Sequence, residues 1–239
     1  MSILLFGDCL EEMKSLDDNS IDLIFCDLPY GQTSCKWDCK IDLVKFWIEV
    51  MRIKKINTPI FMTTTTKFGV YLINSAPKKC PFRYDLVWVK SAPAGFLSAK
   101  KMPMRKHEMV YCFYEKLPFY DLSSHTHKFI KSSDNIIDGD TYNTKERKKP
   151  ITREPPNKYD PPLPTTMLEI KSTRGKHSTE KPVALMEWIL KYYSKEGDVV
   201  LDPTMGSGST GVACKNMNRN FIGIELDPEI YEVAVNRIE

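Results

Sequence analysis

The chain has 239 residues, 42% of them hydrophobic and 11% aromatic, enough apolar side chains for one good-sized core with an appended lobe. No apolar run approaches the roughly 18 residues that a membrane span needs, and the Met-Ser-Ile start lacks the layout of a signal peptide, so neither a membrane protein nor a secreted one is expected. A formal charge of +3 is too small to advertise a polyanion partner, and any basic surface must come from local clustering.

In chain order, Ile3-Leu4-Leu5-Phe6 reads as a strand, Gly7-Asp8 as a turn, and Cys9, Leu10, Met13 and Leu16 as the apolar positions of a short helix; Ile21 to Cys26 is a second strand. Uninterrupted apolar runs suit central strands buried on both faces. Leu43, Phe46, Trp47, Val50 and Met51 fall at helical spacing, Pro59 punctuates, and Ile60-Phe61-Met62 restarts an extended segment. Tyr84 to Val89 and Met109 to Phe113 are further strand candidates, after which the α/β alternation stops near Glu115.

From about Lys116 to Lys176 the chain is polar and punctuated by Pro150, Pro155, Pro156, Pro161, Pro162 and Pro164, with a basic cluster at Lys145, Arg147, Lys148, Lys149, Arg153 and Lys158. Prolines in that density forbid a long helix or a central strand. The stretch is either a solvated loop or a lobe that contacts substrate. Order resumes at Lys181-Pro182, where proline suits a helix's first turn and Val183, Met186, Ile189, Leu190 and Tyr193 trace an apolar stripe ending near Gly197. The strand Val199 to Leu201, a glycine loop, a helix through Val212 and Ala213, the strand Phe221 to Ile224 and a last helix carrying Ile230, Val233, Ala234 and Ile238 complete a βαβα unit.

Gly206-Ser207-Gly208-Ser209-Thr210-Gly211 satisfies G-x-G-x-x-G between a predicted strand and a predicted helix, and Glu225 falls at the end of the next strand, where a ribose hydroxyl needs a carboxylate acceptor. Glycines allow close backbone approach to a ligand, and an ionised Glu225 can take both ribose O–H groups. NAD and S-adenosylmethionine both fit. Only fourteen residues follow Glu225, so a dinucleotide fold would lack its downstream half and the missing strands are expected upstream, which favours the methyl donor.

Two stretches together carry a resemblance: Asp202-Pro203-Thr204-Met205-Gly206-Ser207-Gly208-Ser209 after Val199-Val200-Leu201, and Asp27-Leu28-Pro29-Tyr30 after Ile21 to Cys26. They resemble the two signature motifs of the amino-methylating DNA methyltransferases, which methylate the exocyclic nitrogen of adenine or cytosine, here with the catalytic motif first. His177-Ser178-Thr179-Glu180-Lys181-Pro182 is similar to the family's tenth motif, with Ser178 where proline is usual, and Asp8 in Gly7-Asp8-Cys9-Leu10 resembles its element beside the cofactor's adenine and methionine ends. Asp8 also reads simply as a helix cap. The order resembles the family's beta arrangement. It implies a Rossmann-like S-adenosylmethionine-dependent α/β fold, circularly permuted, with a mostly parallel central sheet and an inserted variable recognition region. Residues 1–115 would form the catalytic half, 116–176 the DNA-reading region and 177–239 the cofactor half of the same domain.

By the same resemblance the cofactor is S-adenosylmethionine, bound by Asp8, Cys9, Asp27, Lys181, Asp202, Thr204, Gly206, Ser207, Gly208, Ser209 and Glu225, with Lys181 meeting its carboxylate. Double-stranded DNA is the implied partner, contacted at its phosphates by Lys145, Arg147, Lys148 and Lys149, and homodimerisation is left open. An exocyclic amine is a poor nucleophile because its lone pair is delocalised into the ring. The Asp27 carboxylate and the Leu28 carbonyl, each accepting one N–H, would draw the nitrogen toward tetrahedral geometry. Tyr30 would stack on a flipped-out base, a contact worth about 1 to 3 kcal/mol.

Leu28 departs from the family's usual proline, yet Pro29 still holds it extended, so its carbonyl keeps its aim. Asp27 at the first position resembles the family's adenine-specific members, serine being more typical of the cytosine-N4 enzymes, so the resemblance implies adenine-N6; the alternatives are the cytosine enzyme, an RNA or protein amide as acceptor, and a catalytically silent DNA-binding relative. Cys35, Cys39, His125 and His127 match no standard zinc spacing, and no metal is expected. Seven scattered cysteines, at 9, 26, 35, 39, 80, 112 and 214, read as reduced thiols, which places the protein in the cytoplasm or, were it viral, in the interior of a host cell.

Overall fold

The long apolar runs form central strands because helices cover both of their faces. A computed structural model describes residues 1–30, 41–127, 136–137, 151–152, 159–173 and 180–239; Cys35, Cys39, the cluster Lys145, Arg147, Lys148 and Lys149, and His177 to Thr179 lie outside the described residues. The first half runs β1 (Ser2–Phe6), α1 (Cys9–Glu12), a 3-10 turn (Met13–Ser15), β2 (Leu23–Cys26), α2 (Leu43–Ile53), β3 (Ile60–Thr64), α3 (Thr66–Ser75), β4 (Phe82–Ala94) and β5 (Arg105–Phe113). Every residue of β2 and β3 is buried. Helix α2 buries Phe46, Trp47, Val50 and Ile53 and is capped by Asp42, whose carboxylate accepts from the N–H groups of Val44 and Lys45.

Helix α3 has no clear signal in the sequence. Its buried Phe68, Gly69 and Leu72 are interleaved with exposed Val70 and Tyr71, so the apolar stripe is blurred, and Gly69 weakens helix propensity. The glycine is there for space: a Cβ would collide with the Tyr111 ring. The strands β4 and β5 are longer than their apolar cores, because the hairpin continues past the buried part as the exposed residues Ser91 to Ala94 and Arg105 to His107.

The described residues divide into two compact units, Met1–Tyr120 with Thr166–Glu239, and Asp121–Thr165. The smaller unit contains β6 (Thr126–His127), β7 (Ile136–Ile137), β8 (Ile151–Thr152) and β9 (Tyr159–Asp160), paired antiparallel as β6 with β9 and β7 with β8. Chain returning to the larger unit adds β10 (Met167–Leu168), α4 (Val183–Tyr193), β11 (Val199–Asp202), α5 (Ser209–Asn216), β12 (Asn220–Glu225) and α6 (Pro228–Ile238).

The larger unit's sheet has the order β1-β12-β11-β2-β3-β5-β4-β10. Every neighbouring pair is parallel except the two that involve β5. The carboxyl ends of β1, β2, β3, β11 and β12 therefore emerge at one edge, together with the turn of the β4–β5 hairpin. Strand β11 pairs directly with β2, Leu201 opposite Ile24, so two segments far apart in sequence become neighbours. That pairing is the circularly permuted arrangement the motif order implies. No described helix is long and apolar enough to cross a membrane.

Candidate active site

Crevices outside the carboxyl ends of parallel strands are where α/β sheets take their ligands, and the described residues of the two signature motifs stand at those ends. At the end of β12, Glu225 accepts from the Gly206 N–H through Oε2 (3.0 Å) and from the Asp227 N–H through Oε1 (2.8 Å). Each oxygen keeps one acceptor site, enough for a pair of ribose hydroxyls. Asp202 ends β11 fully enclosed, with Oδ1 accepting from Thr204 N–H (3.1 Å) and Oδ2 from the Thr210 hydroxyl (2.5 Å). Burial pushes its carboxyl up to about 7, against the pull of those two donors, and Asp27 and Glu225 add to the rise.

The glycine loop divides its tasks. Gly206 has φ +54° and open space where a Cβ would stand, so its contribution is backbone conformation. Gly208, at φ +83°, instead makes room for α6: a Cβ there would lie 2.9 Å from Ile238 and 3.3 Å from the Ala234 backbone. Among the described residues the buried hydroxyls of Thr204 and Ser209, on this same loop, have no hydrogen-bond partner. Orphaned buried donors beside a carboxylate with spare acceptor sites fit a polar, hydroxyl-bearing ligand of the adenosine class. Ser207 is tied down by Arg237, which donates to its carbonyl (2.7 Å) and hydroxyl (2.8 Å) and pairs with Glu180 at 2.9 Å, fixing the start of the Lys181 segment against the loop.

Asp8, after β1, caps α1 by accepting from the Leu10 N–H (2.8 Å). Burial, then the neighbouring Asp8, pushes the Cys9 thiol up to about 12, so it is a neutral thiol.

One pleat beyond β2, Asp27 sits among donors. Its Oδ1 accepts from the Tyr30 hydroxyl (2.9 Å) and from Thr63 of β3, and its Oδ2 accepts from the Lys181 ammonium. Tyr30 also comes within 3.4 Å of Glu108 and packs its ring 5.1 Å from Phe68. Burial, then the Asp27 and Glu108 charges, raises its phenol far above the ordinary value, leaving a neutral donor. Leu28 is 2% exposed and belongs to the core, which explains an apolar side chain where the motif usually has proline.

The matching family model, described as DNA methylase, spans residues 21–236 and so takes in both loops. The chain belongs to this DNA methylase family. It is 28% identical to the type II methyltransferase M.HinfI of Haemophilus influenzae, an alignment covering 100% of this chain and 68% of that protein. It is 26% identical to the DNA adenine methyltransferase YhdJ of Escherichia coli (strain K12), covering 99% of this chain and 82% of that protein. Among solved structures, the M1.HpyAVI–SAM complex matches with a TM-score of 0.68 at 24% identity over 100% of both chains. The cytosine-N4-specific PvuII DNA methyltransferase matches with a TM-score of 0.68 at 15% identity, over 100% of this chain and 86% of that one. These two structural likenesses speak to the fold alone.

Thr63, Lys90 and Glu108, which surround Asp27 and Lys181, lie outside the motifs. The resemblance gives Lys181 to a cofactor carboxylate, whereas the structure pairs it with Asp27 and, at 3.2 Å, with Glu108. Burial pulls the Lys181 pKa down, but Asp27 and Glu108 together outweigh it and raise the value. Glu108 of β5 also holds Lys90 of β4 at 2.5 Å. Thr63 and Glu108 escaped the sequence reading because they come from strands rather than loops; the available signal was polarity at a strand end, Thr63-Thr64-Thr65-Thr66 after Ile60 to Met62 and Glu108 just before Met109 to Phe113.

Proposed function

We propose that this methylase transfers a methyl group from S-adenosylmethionine to the N6 amine of adenine in double-stranded DNA, acting in the cytoplasm. The observation that carries the reading is the adjacency of Asp27 to the Asp202–Glu225 loops on paired strands, which sets an amine acceptor beside an adenosine-type site. The relative named as a DNA adenine methyltransferase, YhdJ of Escherichia coli, supports adenine over cytosine. S-adenosylmethionine, when bound, supplies an electrophilic methyl on a positively charged sulfonium. The chain's own residues do the rest. Glu225 takes the ribose hydroxyls, Thr204 and Ser209 offer hydroxyls to the polar ligand, and Asp8 and Cys9 flank it. Asp27, with the Leu28 carbonyl, accepts the two N–H groups of the base amine and stabilises the positive charge that grows on nitrogen. A paired base cannot reach this depth, so the target is flipped out, with Tyr30 as its stacking surface.

Polyanion binding is supported at the same edge of the sheet. The hairpin turn between β4 and β5 exposes Lys100, Lys101, Arg105 and Lys106 and contains no acidic residue from Ser91 to His107. Residues 116–176 are assigned the reading of DNA, with Lys145, Arg147, Lys148 and Lys149 on phosphates.

The test is nucleoside-resolved analysis of duplex DNA incubated with the protein and isotopically labelled S-adenosylmethionine. Label is expected in N6-methyladenine. Label confined to N4-methylcytosine would replace adenine by cytosine, and DNA binding without transfer would leave a silent relative. A second measurement probes the cofactor half: Glu225→Ala is expected to weaken cofactor binding about 10- to 100-fold by calorimetry, the loss of charged hydrogen bonds to ribose. An affinity within about threefold of wild type would move the ribose site elsewhere.

A further inference from the structure

The Lys181 ammonium stands between two carboxylates, and only one of them belongs to a motif. We infer that Glu108 is a positioning residue: it keeps Lys181 when the target amine takes over the outer oxygen of Asp27. The inference rests on the reading of Asp27 as amine acceptor.

Both hydroxyls that reach Asp27 converge on Oδ1, so that oxygen is filled, and the base is left with Oδ2, which already holds the ammonium. A cation on the same oxygen opposes catalysis in two ways. It neutralises the charge that should stabilise an amine becoming positive, and it repels that developing charge directly. Of the three donors on Asp27, Thr63 is short and fully buried on β3, and Tyr30 is packed on Phe68. Lys181 alone among them rides on a flexible four-carbon stem and is free to swing.

An ammonium this enclosed, its side chain 12% exposed, does not leave an anion for nothing. Glu108 supplies the alternative. Its Oε1 is 3.2 Å from Lys181, its side chain is 11% exposed, and its Oε2 is held by Lys90, which itself lies over the Trp88 ring at 5.0 Å. Lys90 fixes Glu108, Glu108 takes Lys181, and Asp27 is released with its charge intact. Without Glu108, Lys181 has every reason to stay on Asp27.

Wild type, Glu108→Gln and Glu108→Asp are to be compared on duplex DNA that the wild type methylates, at saturating cofactor, with cofactor affinity measured by calorimetry and DNA affinity by fluorescence anisotropy. Glu108→Gln is expected to lower kcat on the order of 100-fold, the usual penalty for a misplaced catalytic group, with both affinities within about threefold; Glu108→Asp, which keeps the charge, should recover a large part. An unchanged kcat in Glu108→Gln would overturn the inference, since Lys181 would then have another anion to go to, the cofactor carboxylate included. So would a fall in cofactor affinity that matches the fall in kcat, or failure of Glu108→Asp to recover activity. If Glu108→Gln melts below the assay temperature, the three proteins are compared at a lower temperature at which Glu108→Gln is folded, and the same outcomes decide. A wild-type chain that methylates nothing would sink the parent reading and this one with it, whereas an active wild type beside an equally active Glu108→Gln sinks this one alone.

Discussion

Asp27→Ala is expected to lower the rate of methyl transfer at least about 1000-fold while changing cofactor affinity less than about tenfold. On the proposed reading the rate falls because the carboxylate is the strong acceptor for the amine, and the Leu28 carbonyl alone would accept a single N–H without supplying negative charge. The fold survives the change. Lys181 keeps Glu108 at 3.2 Å, the Tyr30 and Thr63 hydroxyls, 3.5 Å apart, remain in reach of each other, and Tyr30 also reaches Glu108 at 3.4 Å. Leaving those two donors short of an acceptor costs about 1–3 kcal/mol, below the stability of an ordinary domain. Asp27→Asn separates charge from shape: an amide keeps an acceptor oxygen but loses the anion, and its rate is expected close to that of the alanine variant. Single-turnover transfer of labelled methyl, with equilibrium dialysis of the cofactor, measures both quantities. Transfer within tenfold of wild type would remove Asp27 from the chemistry.

The sequence made the loop residues of this site legible and hid those on strands. Asp27, Glu225 and the glycine loop stand in contiguous motifs whose meaning depends on a strand before and a helix after, both readable from apolar runs. Glu108 means nothing until the sheet order is known: it faces Trp88 across β4–β5, while its neighbour Met109 pairs with Thr64 of β3, and these pairings bring it to Tyr30 and Lys181. Nothing local in Lys106-His107-Glu108-Met109 records that β5 runs against its neighbours. Thr63 is hidden for the same reason, as one hydroxyl in a run of four threonines. Leu28 was legible only in its backbone role: Pro29 says that its carbonyl stays extended, but nothing in the motif says that its side chain is spent on the core. Helix α3 was lost because its exposed Val70 and Tyr71 are as apolar as its buried face.

Asp202 gives the methylase a pH dependence of defined sign. Burial raises the folded carboxyl to about 7 from an ordinary value of 3.8, so between those limits the folded chain holds a proton that the unfolded chain has released. Stability from this group is complete below pH 3.8, declines as pH rises, and is lost once pH passes about 7. At about 1.4 kcal/mol per pK unit the decline is on the order of a few kcal/mol. Asp202→Asn keeps an acceptor for the Thr204 N–H and offers the Thr210 oxygen a donor, so it should fold, and its urea midpoint should lack this component between pH 5 and 8. Equal slopes in the two proteins would refute the assignment. The cost at high pH has a return in binding. Ionised Asp202 joins Asp27 and Glu225 in a crevice of negative charge, the field that a sulfonium cation prefers. Cofactor affinity in the wild type is therefore expected to rise from pH 6 to pH 8, and in Asp202→Asn to stay nearly level, a difference that calorimetry at the two pH values reads directly.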